Sequence, residues 1–121
     1  MPKRSPKKSP GTDWTQSLDP AAIDVALEDA TVDAHDEDER HADLLNAIGD
    51  ELAFPFSGRV LGESVSVVGM EWPENDGFGL DLVIERNGTL HRVEARSVEL
   101  IEPLPEGHLF LAANLLWKRM V

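Results

Sequence analysis

The pair Asn87-Gly88 constrains this chain more than any other dipeptide in it. A two-residue hairpin turn requires positive φ at both central positions, which Asn and Gly accept at little cost. Apolar residues alternate on both sides of it. Phe78, Leu80, Leu82 and Ile84 precede the turn within 78–86, and a second run follows at 90–95. Upstream, 64–70 alternates around Val65, Val67 and Val68, and short segments at 59–61 and 98–101 read the same way. Brief strands packed into about 45 residues predict a small, strongly bent antiparallel barrel of the SH3-like kind.

Helices flank this region. Asp19 followed by Pro20 reads as an N-cap with proline at the first helical position, opening a short helix to Ala30 with Ile23, Ala26 and Leu27 on one side. A stronger pattern runs over 36–52, where His41, Leu44, Leu45, Ile48 and Leu52 form one stripe at 3.6-residue spacing. Pro55 ends it, because the residue before a proline is pushed out of the helical region. A third helix, 108–119, is expected to cover an open edge or barrel end with Leu109, Leu115, Leu116 and Trp117. The fold class is therefore α+β, an acidic helix packed on the barrel with a short C-terminal helix.

At 121 residues the chain is long enough for one domain, and 41% hydrophobic residues allow a single core. Charge is unevenly spread. Lys3, Arg4, Lys7 and Lys8 are the charged residues of the first ten, while all 23 Asp and Glu come later, against 11 Lys and Arg in total. Residues 1–18, rich in Pro, Ser and Lys, read as a disordered basic tail, with the domain at 19–121. An acidic body repels nucleic-acid phosphates and favours cations or basic proteins, so no nucleic-acid partner is expected for it. No apolar run is long enough to span a membrane, and the first residues lack a secretory core, so a cytoplasmic setting is expected. With no cysteine, thiol catalysis, thiolate zinc sites and disulfides are excluded.

Two places concentrate possible chemistry. Asp33, His35, Asp36, Glu37, Asp38 and Glu39 crowd the start of the second helix, where acids complement the macrodipole and where Asp33 with Asp36 could cap. The segment 71–77 offers Glu71, Glu74, Asn75 and Asp76 as oxygen donors beside Gly77. Like charges about 4 Å apart repel by roughly 4 kcal/mol at an effective dielectric of 20, a cost that a cation relieves. Oxygen donors without thiols suit a hard ion, and calcium tolerates irregular oxygen shells better than magnesium. An EF-hand is excluded, because a loop starting at Asp36 would place His41 at the turn glycine. Since a helix N-terminus repels cations, any ion belongs on the segment leading into the helix. The four histidines lack ligand spacing, Ser64 and Ser66 have no nucleophile elbow, and paired carboxylates in so small a domain have little cleft, so an enzyme is not expected. Trp72 beside Pro73 reads as a half-exposed lid.

The string VDAHDEDER at 32–40, then LAFPF at 52–56, then VVGM at 67–70 ahead of the acidic segment, resembles the CcbP-type small calcium-binding proteins. The resemblance spans about residues 31–102 in the same order, and departs in the middle of the second helix, where that family is aromatic. It implies Ca2+ binding, as a buffer or sensor in signalling, at sites unlike the EF-hand. It also implies that Asp33, Asp36 and Asp38 belong to a first acidic cluster and Glu74 with Asp76 to a loop cluster. The alternative is an acidic interaction module that docks a basic protein or mimics nucleic acid.

Overall fold

The computed structural model describes residues 10–73 and 79–120, with side chains described over 14–73 and 79–116. A 3-10 helix, Pro10–Ser17, leads into α1 (Pro20–Ala30) and α2 (Glu37–Glu51). Strands β1 (Phe56–Val60), β2 (Glu63–Glu71), β3 (Asp81–Arg86) and β4 (Thr89–Glu94) follow, then a short 3-10 turn Ala95–Ser97, β5 (Glu99–Leu100) and α3 (His108–Met120). Among the described residues, no helix is long and apolar enough to cross a membrane.

Local chemistry accounts for most boundaries. Asp19 is extended and its side chain accepts the Ala21 amide at 3.0 Å, with Pro20 opening α1. The stripe of α2 faces inward as its spacing predicts. Leu44, Leu45 and Ile48 are fully buried, and each contributes roughly 1.5–3 kcal/mol of hydrophobic stabilisation. Asn87 (φ 55°) and Gly88 (φ 79°) form the expected turn, with Arg86 opposite Thr89. A second turn of the same kind joins β1 to β2 at Leu61 (φ 53°) and Gly62 (φ 81°), where a strand end had been expected. In β2 Val68 alternates away from the buried Val65 and Val67, and the register shift between Val67 and Gly69 lets Met70, three residues after Val67, pack against the core.

The expected closed barrel is not formed. The five strands make an open antiparallel sheet in the order β4-β3-β2-β1-β5. β5 pairs with β1 only through Gly58–Leu100 and Arg59–Glu99, too little to extend a ladder towards β4, whose side chains are nearly all exposed. One hydrophobic core joins the sheet to the helices: Phe56, Val65, Val67, Leu82 and Ile84 meet Leu44, Leu45 and Ile48 of α2 and Leu111 of α3. The inner face of α3 is Leu111, Ala112, Ala113 and Leu115, with Leu109 and Leu116 half-buried; the Trp117 side chain lies outside the described residues.

The boundary expected at residue 18 also moves. Trp14 is 8% exposed and belongs to the core, with Leu18 packed against it, and its 3-10 helix lies beside β5 and Ala95–Ser97. The polar composition of the first 18 residues masked one large apolar side chain that is enough to dock the segment. Residues 1–9 lie outside the described residues.

Candidate metal centre

The acidic string before α2 divides into residues that build the helix and residues that remain available. Asp36 is the N-cap, extended at φ −147°, and its Oδ1 accepts the Glu39 amide at 2.8 Å. Glu39 Oε1 in turn accepts the His35 amide at 2.7 Å. The capping partner of Asp36 is thus Glu39 rather than Asp33. Two carboxylates here satisfy donors that a helix start leaves open, and they offset the partial positive charge that makes such a terminus hostile to cations.

Glu37 and Asp38 are exposed, and neither side chain has a hydrogen bond or ion pair among the described residues. They precede His41 by four and three positions, so all three share one side of α2. His41 is buried, and its Nε2 lies 3.0 Å from the Gly79 carbonyl oxygen. Its ring also meets Trp72 edge-on, at 6.5 Å between centroids and 62° between planes. Trp72 and Gly79 are the two ends of the connection between β2 and β3. The first turn of α2 therefore continues into a histidine that touches both ends of the second acidic segment.

Asp33 lies elsewhere. It lines a groove of about 440 Å³ together with Asp29, Asp43, Asp50 and Glu51, on the side of α2 that faces away from the core. The string 33–38 is thus spread around the helix start: Asp33 to the outer groove, Asp36 to the cap, Asp38 to the side of His41. Glu74 and Asp76 lie outside the described residues. Among the described residues, no group of three or more Asp, Glu, His or Cys side chains is placed to hold a metal ion.

The ends of the β2–β3 connection are held by one further residue that sequence reasoning missed. Arg92, on β4, donates through Nη2 to the Trp72 carbonyl oxygen at 2.6 Å and through Nε to Asp81 Oδ2 at 2.7 Å. The hairpin register contains the signal. Asp81 lies opposite Glu94, so Arg92 is its diagonal neighbour on the same face of the sheet. Trp72 is half-exposed, as a lid on this corner would be.

No protein-family model matches the chain, and no curated protein matches it in sequence. Two solved structures do match in three dimensions. The crystal structure of Anabaena CcbP superposes with a TM-score of 0.66 at 22% identity, over 84% of this chain and 93% of that one. A structure of a calcium binding protein in the calcium-binding form superposes with a TM-score of 0.60 at 18% identity, over 89% of this chain and 94% of that one. The likeness takes in far more than the acidic and FPF strings that first suggested it, and over most of its length this chain has the CcbP fold.

Proposed function

We propose that this chain binds calcium ions, as a buffer or sensor, through carboxylates at the start of α2 and on the β2–β3 connection. The carrying observation is the fold: it is shared over most of the chain with two proteins that are themselves described as CcbP and as a calcium binding protein. The donor set fits. It is carboxylate, amide and carbonyl oxygen without thiols, the chemistry that a hard cation with a flexible oxygen shell takes.

The proposed ligands are Asp33, Asp36, Asp38, Glu74 and Asp76. Of these, Asp38 has the strongest geometric support, because its side of α2 runs into the ends of the acidic connection. Asp36 has one carboxylate oxygen engaged with the Glu39 amide and a second oxygen available. Asp33 lines a groove with Asp29, Asp43, Asp50 and Glu51, and it is the member of the first acidic cluster with the least geometric support.

Calorimetric titration with calcium, alongside thermal unfolding, tests this reading. Calcium at about 100 times its dissociation constant adds about 2.7 kcal/mol if only the folded state binds. For a domain of about 100 residues each kcal/mol raises Tm by about 4–8 °C. Matched magnesium should lag, because it gives up its waters reluctantly and demands a small octahedral shell. Equal shifts from calcium, magnesium and plain salt would replace calcium binding with the acidic docking module, whose response follows ionic strength.

A further inference from the structure

We infer that a groove running along α1 is a docking site for a basic amphipathic helix of a partner protein. This goes beyond calcium binding and uses a side of α2 other than the one that carries His41. Two hollows form the groove. One, of about 570 Å³, is lined by Ala22, Val25 and Ala26 of α1 against Leu104, Leu109 and Phe110. The other, of about 440 Å³, lies between Val32 and the outer side of α2, and the two adjoin at Asp29 and Phe110, which line both. Val25 is 57% exposed and Val32 77%, so two large apolar side chains of this surface are left uncovered. The walls follow helical spacing on both sides. Ala22, Val25, Ala26 and Asp29 form one stripe on α1, and Asp43, Asn46, Ala47 and Asp50 form one on α2.

The charge of the groove selects the partner. Asp29, Asp33, Asp43, Asp50 and Glu51 line the second hollow and Glu106 the first, and no Lys or Arg among the described residues lines either. None of these six carboxylates has a hydrogen bond or ion pair among the described residues. Each is therefore open to a cation brought by a partner. The shape selects a helix. The long walls are α1, α2 and α3, whose backbone groups are bonded within their own helices, so an extended strand finds no ladder to join. A helix satisfies its own backbone and presents anchors at i, i+3, i+4 and i+7 to a groove. With its apolar side over Val25, Val32 and Phe110, a Lys or Arg flank meets Asp43 and Asp50 on α2. Complementary charge of this kind sets encounter rate and register, while the apolar anchors supply most of the affinity.

The test titrates the full chain into a fluorescent peptide of about 14 residues, about 21 Å long as a helix, whose leucines repeat at helical spacing among lysines. A peptide of the same composition with its leucines scattered is the reference, and anisotropy reports binding. The expected result is at least about tenfold tighter binding of the helical-period peptide, a gain of peptide helicity by circular dichroism, and about tenfold loss in Val25→Asp. Asp43→Asn combined with Asp50→Asn should weaken binding severalfold and flatten its salt dependence. Glu85→Gln combined with Glu94→Gln removes the same charge from β3 and β4 and should change affinity by less than about twofold. Equal binding of the two peptides, or equal losses in the two double variants, overturns the inference in favour of general charge attraction. If Val25→Asp does not fold, Val32→Asp, which lies beyond the end of α1, decides by the same criterion. Replacing Lys3, Arg4, Lys7 and Lys8 with Gln should leave affinity unchanged. A rise of about tenfold or more there would make the chain's own basic segment the occupant and overturn the partner. A parent chain that sediments as a dimer, and as a monomer in Val25→Asp, would make a second copy the occupant, with the same consequence.

Discussion

Asp36 and Glu39 hold each other's turn of backbone: the Asp36 carboxylate accepts the Glu39 amide, and the Glu39 carboxylate reaches back to the His35 amide. This reciprocal arrangement explains why a stretch so rich in acids starts a helix instead of repelling itself open. It also separates two roles within one string. Asp36 and Glu39 build α2, whereas Glu37 and Asp38 are left for other use.

The first prediction follows from that division. Asp36→Ala should cost about 0.5–2 kcal/mol in calcium-free protein, because the N-cap acceptor is lost. Asp36→Asn should cost only a few tenths of a kcal/mol, since Asn caps about as well. Asp38→Asn should change calcium-free stability by no more than its helix-dipole share of about 0.3–1 kcal/mol while weakening calcium binding. Urea unfolding with and without calcium distinguishes these outcomes, and an apo-state loss in Asp38→Asn larger than in Asp36→Ala would reverse the assignment.

Gly107 supplies the second. It sits at φ 88°, and a Cβ there would lie 2.4 Å from the Glu51 carbonyl oxygen and 2.6 Å from the Leu52 amide nitrogen. The segment before α3 crosses the end of α2 at backbone distance, and the Ala53 amide donates to the Glu106 carbonyl beside it. Gly107→Ala should therefore carry a left-handed penalty of about 1–2 kcal/mol and an overlap penalty of about 1–3 kcal/mol. Chemical denaturation should show the sum. A loss under about 1 kcal/mol would mean that the crossing is looser than it is drawn.

The two hairpin turns give a matched comparison. Leu61 is 92% exposed and held at φ 53°, a conformation that Leu adopts at a cost and Asn far more readily. Leu61→Asn should stabilise by up to about 1 kcal/mol, making this turn resemble Asn87-Gly88. At Gly88 a Cβ would meet nothing within 4 Å, so Gly88→Val should destabilise through φ alone, by at least about 1–2 kcal/mol. Thermal melts of the two variants should move in opposite directions; movement in the same direction would count against the turn geometry.

Trp14 provides the last prediction. Its ring is in the core, yet its Nε1 is buried with no hydrogen-bond partner among the described residues. Trp14→Ala should cost about 3–5 kcal/mol, a core-cavity loss. Trp14→Phe should cost much less, because it keeps most of the ring and removes the unpaired donor. A Trp14→Ala variant as stable as the parent would return the segment before α1 to the status of a tail.

What could be read from the sequence was local. The Asp19-Pro20 start of α1, the His41–Ile48 stripe and the Asn87-Gly88 turn each depend on the conformational preferences of a few neighbouring residues, and each appears where those preferences put it. The acidic and FPF strings pointed to the CcbP fold for a related reason, since their order along the chain survives folding. Alternation told which side of a strand is buried but not whether the outer strands meet. The openness of the sheet follows from how short β5 is and how little of β4 is covered, and neither is encoded in strand period. Trp14 looked like part of a solvated tail until the core offered it a place. Gly107 looked unremarkable until α2 passed beneath it. The candidate site divides in the same way. Its carboxylates were visible as composition, but only the tertiary structure sends Asp33 to the outer groove, commits Asp36 to the cap and brings His41 and Arg92 to the ends of one connection. Those relationships join residues far apart in sequence, and contacts of that kind are decided by packing, not by any local pattern.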